Sequence, residues 1–117
     1  MPAAEWVAQL VKSCTEHIWL HVSPGNNFRQ QVMDVVSNSQ DDIKAHLLAT
    51  VQASKREFID KCTRSNVISA SVARQMMQTV NEDEALNTMY VDTCTMLVDK
   101  VLAAIAVKRA LWTLVNE

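Results

Sequence analysis

The sequence contains very little glycine and proline. Gly25 is the single glycine in 117 residues, and the prolines are Pro2 and Pro24. The many turns of an all-β domain depend on these residue types, so an all-β fold is excluded and an α/β fold with several tight loops is disfavoured. One glycine also cannot build the glycine-rich phosphate-binding loops of Walker and Rossmann sites.

Cysteine is sparse as well. Cys14, Cys62 and Cys94 are an odd number of thiols without CxxC spacing, which does not indicate a disulfide framework. We therefore expect three reduced thiols in the core of a cytoplasmic protein. The amino-terminal segment carries Glu5 and no basic stretch, so no secretory signal is predicted.

Long apolar runs are missing. The most apolar stretch, Met96 to Val115, has 15 apolar residues out of 20, but four charged residues interrupt it and its longest unbroken apolar run is seven residues. A membrane-spanning helix needs about 20 mostly apolar residues, so no membrane segment is predicted. Hydrophobic residues make up 49% of the chain and charged residues 21%, which is enough apolar material for a folded core.

The remaining fold class is all-α. Apolar residues recur at helical spacing, so the pattern predicts one domain over 1–117, built as a bundle of about five helices, with helix content above about 70%. Start signals are Asn27 with Gln30, Ser39 with Asp42, and Asn81 before three acidic residues. The predicted helices, two of them long, span about 3–22, 28–37, 40–64, 69–80 and 82–116.

The last of these helices is long for so small a protein. An unbroken helix of 35 residues measures about 52 Å, whereas a compact domain of this size is roughly 35 Å across. Either the helix breaks near Asp99 and Lys100, or the fold is elongated and the helix meets a partner. Apolar residues on two sides of the helix favour the partner, because a helix that is apolar nearly all round must be buried nearly all round.

The function predicted from this pattern is non-catalytic. We expect a protein–protein interaction module that acts as a homodimer, with no cofactor, and a further protein partner of unknown kind. Nothing in the sequence marks an activated nucleophile, and loops that could carry an active site are short and few. The predicted dimer interface is Val107, Leu111, Leu114 and Trp112.

A basic stretch gives an alternative function. From Lys44 to Arg74 there are six basic and two acidic residues, and such a surface can contact the phosphates of double-stranded RNA. The candidate RNA contacts are Lys44, Lys55, Arg56, Lys61, Arg64 and Arg74.

Two stretches resemble known families. A capped first helix, a turn at Pro24 to Asn27, a long basic helix and a short one are loosely similar to small dimeric silencing suppressors of nodaviruses, a likeness that implies double-stranded RNA binding along a helical face. The segment Ile68 to Arg74 looks like a stretch in small poxviral helical apoptosis regulators. The two likenesses point to different families and neither covers the last 35 residues, so no functional residue is carried over.

A third hypothesis is a metal site. His17 and His21 are four residues apart on one helix face and could chelate one ion. Cys14 lies about 10 Å from His21 along the helix axis, so one zinc ion could not bind all three residues without distortion. We therefore expect no metal, and predict that both histidines border the core.

Overall fold

The structure, a computed structural model, describes residues 3–116, with side chains from Glu5 onward. Over this part of the chain it is 87% helical and contains no strand. The helices are α1 (Ala3–His21), α2 (Phe28–Ser37), α3 (Gln40–Ser65), α4 (Ala70–Gln78) and α5 (Glu82–Asn116). The prediction of an all-α bundle with two long helices is confirmed, and each predicted boundary lies within two residues of the observed one.

Side chains cap the starts of α4 and α5, and the cap at Asn81 is one of those predicted. The Ser69 hydroxyl accepts a hydrogen bond from the Val72 amide at 3.2 Å, and the Asn81 side chain accepts one from the Glu84 amide at 3.1 Å. Each bond satisfies an amide that the first turn of a helix would otherwise leave unpaired. The break predicted after α3 occurs at Asn66, which has φ 56°, a left-handed conformation that asparagine tolerates at a helix end.

The capping box predicted at Asn27 is wrong. Its side chain makes no cap hydrogen bond, and its backbone has φ −109° and ψ 30°, away from the extended conformation that aims a capping side chain at the helix. Instead, the Phe28 amide donates to the Gly25 carbonyl at 3.2 Å. The reversal before α2 does not use left-handed glycine, since the φ of Gly25 is not positive.

Helix α5 is continuous from Glu82 to Asn116. It does not break near Asp99 and Lys100, so the alternative of a broken helix is wrong. The physical reason is that residues 82–116 contain neither proline nor glycine, the two residue types that most strongly interrupt a helix.

The chain divides into two compact units, and the first comprises residues 1–40 and 92–117. Its helices are α1, α2 and the carboxyl-terminal part of α5. The Arg29 guanidinium of α2 lies 2.9 Å from the Asp99 carboxylate of α5. The buried apolar side chains of this unit are Trp6, Cys14, Ile18, Val32, Val36, Cys94, Leu97, Val98, Val101 and Ile105.

The second unit comprises residues 41–91 and contains nearly all of α3, α4 and the first turns of α5. Its buried apolar side chains are fewer: Ile43, Leu47, Val51 and Ala73. Two further contacts join α3 to the first turns of α5. Lys55 Nζ lies 2.6 Å from Glu82 Oε1, and Lys44 Nζ lies 5.1 Å from the centroid of the Tyr90 ring. The single domain predicted for 1–117 stays a prediction.

Candidate interaction surface

Within the first unit, α5 is buried along one face only. Cys94, Leu97, Val98, Val101 and Ile105 are buried, and their spacing follows one side of a helix. Beyond Ile105 the burial ends, and the residues from Leu111 to Asn116 are all exposed. The last three turns of α5 therefore present apolar side chains to solvent.

The predicted interface residues lie in this exposed part of α5. Val107, Leu111, Leu114 and Trp112 are exposed by 59%, 56%, 73% and 60%, respectively. Val115 beside them is also exposed. The dimer itself stays a prediction, but its proposed interface is an uncovered apolar surface rather than part of the core.

The exposed side of α5 has coiled-coil spacing. Six exposed residues succeed one another at intervals of four, three, four, three and four positions, which is the heptad repeat of core positions in coiled coils. We call them the α5 seam: Met96, Lys100, Ala103, Val107, Ala110 and Leu114. Three of the six are small or medium-sized apolar residues (Ala103, Val107 and Ala110), two are large apolar residues (Met96 and Leu114), and Lys100 is the single charge.

Trp112 has a partner within its own chain. Its ring centroid lies 6.2 Å from that of Trp19 on α1 in an edge-to-face arrangement, and Lys108 Nζ lies 5.6 Å from the centroid of the Trp19 ring. This explains a tryptophan on the otherwise polar side of α1, because residues of α5 cover it. Trp112 thus belongs to the exposed surface and also helps to hold α1 against α5.

His17 and His21 lie beside the buried side chains of Cys14 and Ile18, outside the core itself. Both histidines are exposed, with ring centroids 4.9 Å apart. Within residues 3–116 there is no group of three or more His, Cys, Asp or Glu side chains placed to hold a metal ion.

Three of the predicted RNA contacts are engaged by other side chains. Lys55 pairs with Glu82 at 2.6 Å, Lys61 pairs with Glu57 at 2.8 Å, and Lys44 lies over the Tyr90 ring. The hydrogen bond and the charge of Lys61 lower the pKa of Glu57 below its ordinary value. The two ion pairs reduce the positive charge that the stretch offers to a phosphate backbone.

The other three cations lie around two cavities of the second unit. Arg56 and Arg74, together with Lys55, line a cavity of about 650 Å³, and Arg64 and Arg74 line one of about 470 Å³. Arg64 donates from Nε to the Asp60 carbonyl of its own helix at 3.3 Å. For Arg56 and Arg74 the structure shows no ion pair with any described carboxylate.

The cysteines are free thiols. Cys14 and Cys94 are buried, as predicted, whereas Cys62 is half-buried. Burial raises the pKa of the Cys14 thiol, which keeps it protonated and unreactive at neutral pH.

Comparison with protein-family models, with curated proteins and with solved structures found no match to this chain. None of the helices between residues 3 and 116 has both the length and the apolar character needed to cross a bilayer.

Sequence reasoning missed one feature of the second unit. A mainly apolar cavity of about 290 Å³ lies between α3, α4 and the start of α5, with Val51, Phe58, Met77, Val80 and Met89 in its wall. The signal in the sequence was Ser54, a small polar residue within the apolar stripe of α3 between Val51 and Phe58.

Proposed function

We propose that this chain is a non-catalytic protein–protein interaction module that acts as a homodimer through the α5 seam and the apolar residues beside it. The observation that carries the proposal is the run of exposed apolar side chains between Val107 and Val115. Water contact with such a surface is unfavourable, and pairing with an identical surface removes it.

The apolar surface on the seam side of α5 lies at the upper end of what a monomer shows. Val107, Leu111 and Leu114 are each more than half exposed on this side, and together they present an apolar patch on the order of a few hundred Å². The largest apolar patch on a typical monomer is about 300–600 Å², whereas a stable interface buries about 800 Å² on each partner. The Met96 and Ala103 part of the seam supplies further area on the same side of the helix.

The order of residues in the α5 seam favours an antiparallel pair. In a parallel pair each residue faces its own copy, which would place Lys100 against Lys100 and would stack alanine on alanine at positions 103 and 110. An antiparallel pair centred between Ala103 and Val107 would instead avoid the contact of Lys100 with itself and the two alanine–alanine layers. Its layers would be Lys100 with Ala110, Val107 with Ala103, and Leu114 with Met96.

Mass in solution is the first test of this proposal. Light scattering at micromolar concentration should give the mass of two chains, about 26 kDa for a 13.1 kDa protomer. A folded chain with the mass of one protomer at about 100 μM, well above the Kd of a standard-sized interface, would contradict the proposal.

Disulfide cross-linking tests the direction of the pair. In a Cys62→Ser background, a mixture of Ala103→Cys and Val107→Cys chains should form the mixed disulfide on mild oxidation, because the antiparallel layer brings these positions together. Each variant oxidised alone is the matched control and should cross-link poorly. Efficient self-linking of Val107→Cys would indicate a parallel pair instead.

Double-stranded RNA binding stays a prediction, and it has less support than the dimer because Lys44, Lys55 and Lys61 are engaged within the chain. If duplex RNA binds, replacing Lys55, Arg56, Lys61 or Arg64 by glutamine should lower the slope of log affinity against log salt by about one per charge. Absence of a gel shift with long duplex RNA at low salt would dispose of this alternative.

A further inference from the structure

An apolar stripe on α3 continues beyond the core of the second unit. Ile43, Leu47 and Val51 are buried, but the next two positions of the stripe, Ser54 and Phe58, are exposed. Such a stripe predicts a buried face along the whole helix. Other parts of the chain cover the stripe as far as Val51 and leave Ser54 and Phe58 exposed. The cavity of about 290 Å³ lies over the uncovered half.

The wall opposite the stripe is also apolar and adaptable. Met77 and Val80 approach from the α4 side and Met89 from α5. Val80 and Phe58 remain 40% and 36% exposed, so both reach the opening of the cavity. Methionine side chains are flexible and polarisable, and they adjust to the shape of an apolar guest more readily than branched side chains do.

A second, more polar cavity adjoins the first. The cavity of about 650 Å³ shares Lys55, Met77 and Val80 with the apolar one. Lys55 is held at this junction by Glu82, and its side chain is only 18% exposed. Arg56 and Arg74 line the wider cavity without an ion pair among the described carboxylates, and Asp83 is the remaining acidic residue there.

We propose that these joined cavities bind a linear amphiphile with an anionic head group, its hydrocarbon chain in the apolar cavity over Ser54 and its head group at Arg56 and Arg74. Ligand sites are typically cavities of about 300–1,000 Å³ with apolar walls and a few polar groups that fix orientation. Arginine is suited to the head group, because its planar donors bind carboxylate or phosphate bidentately. This site lies entirely in the second unit and does not rest on the proposed dimer.

The hydrocarbon part is tested with sodium dodecanoate, below its micelle concentration, by isothermal titration calorimetry on the whole chain. Ser54→Leu should fill the cavity and weaken binding at least tenfold. Ala53→Leu is the matched control: it adds the same side chain at an exposed neighbouring position, outside the residues that line the cavity, and should bind as the native chain does. Circular dichroism checks that all three chains are equally helical.

The head group is tested by changing its charge on the same chain. Dodecyltrimethylammonium should bind at least tenfold more weakly than dodecanoate, and Arg56→Gln with Arg74→Gln should remove most of that preference. Dodecyl phosphate compared with dodecanoate distinguishes the two anionic head groups, and tighter binding of either supports the site.

Three results would overturn the proposal. The first is no binding of dodecanoate or dodecyl phosphate up to the micelle concentration. The second is equal binding by the Ser54→Leu chain, which would place the amphiphile elsewhere. The third is a native chain that does not bind dodecanoate, combined with a Ser54→Leu chain whose mass in solution is lower than that of the native chain. That result would mean that a second copy of the chain covers the cavity.

Discussion

Leu114→Asp is the sharpest test of the proposed dimer. The Leu114 side chain is 73% exposed in the single chain, so the substitution removes almost no packing within the protomer. In the proposed pair the same side chain faces Met96 of the other copy and leaves water. The substitution therefore separates association from folding, which a change in the core could not do.

The magnitudes differ enough to be measured separately. Burying a leucine side chain fully is worth about 1.5–3 kcal/mol, and Leu114 still exposes about three quarters of its surface. A symmetric dimer contains the residue twice, so the loss is about 2–4 kcal/mol of association free energy, or about 30- to 1,000-fold in Kd. For the protomer, an aspartate near a helix carboxyl terminus costs only about 0.3–1 kcal/mol.

Sedimentation velocity over a concentration series measures the change in the Kd of the dimer. Urea unfolding of the variant measures the change in the unfolding free energy of the protomer. Val67→Asp is the matched control, since Val67 is a similarly exposed apolar residue of the other unit, and it should leave the mass unchanged. The reasoning would be refuted by a folded Leu114→Asp chain that keeps the native mass at low micromolar concentration. A Val67→Asp chain that dissociates equally would also refute it.

Three further outcomes are expected. Lys61→Gln should return the pKa of Glu57 toward its ordinary value, as measured by NMR titration. Because the pKa of Glu57 in the folded chain is lowered, the stability that this ion pair contributes is present above the ordinary pKa and is lost as the pH falls through the lowered one. The native and Lys61→Gln chains should therefore become equally stable at low pH. Cys62 should react with Ellman's reagent before the buried Cys14, and Cys62→Ser should remove that fast phase. Leu97→Ala, in the core, should reduce the urea-unfolding free energy by about 2–5 kcal/mol.

Helix positions could be read from the sequence because two kinds of signal agreed. Apolar periodicity located the middle of each helix, and the capping residue Asn81 marked where α5 begins. The capping prediction at Asn27 was wrong because the type of a residue shows only that it can form a cap. Whether it does depends on backbone angles, and these are set by the turn at Gly25.

Burial was harder to predict than helix position. Periodicity assigns a residue to a face, but it does not state how far the covering helix extends along that face. The α3 stripe is covered at Leu47 and uncovered at Phe58, and α4 has only nine residues, about 13 Å of helix.

The two uncovered apolar regions share a physical origin. A chain of this size has few elements with which to cover its longest helices, and α2 and α4 contain only ten and nine residues. The long helix α3 therefore leaves Phe58 of its apolar stripe exposed, and α5 leaves a run of apolar side chains exposed between Val107 and Val115. Because these stretches belong to different units, what covers one need not affect the other. The Leu114→Asp chain should bind dodecanoate as tightly as the native chain, whereas a loss of self-association and of dodecanoate binding together would mean that one surface serves both.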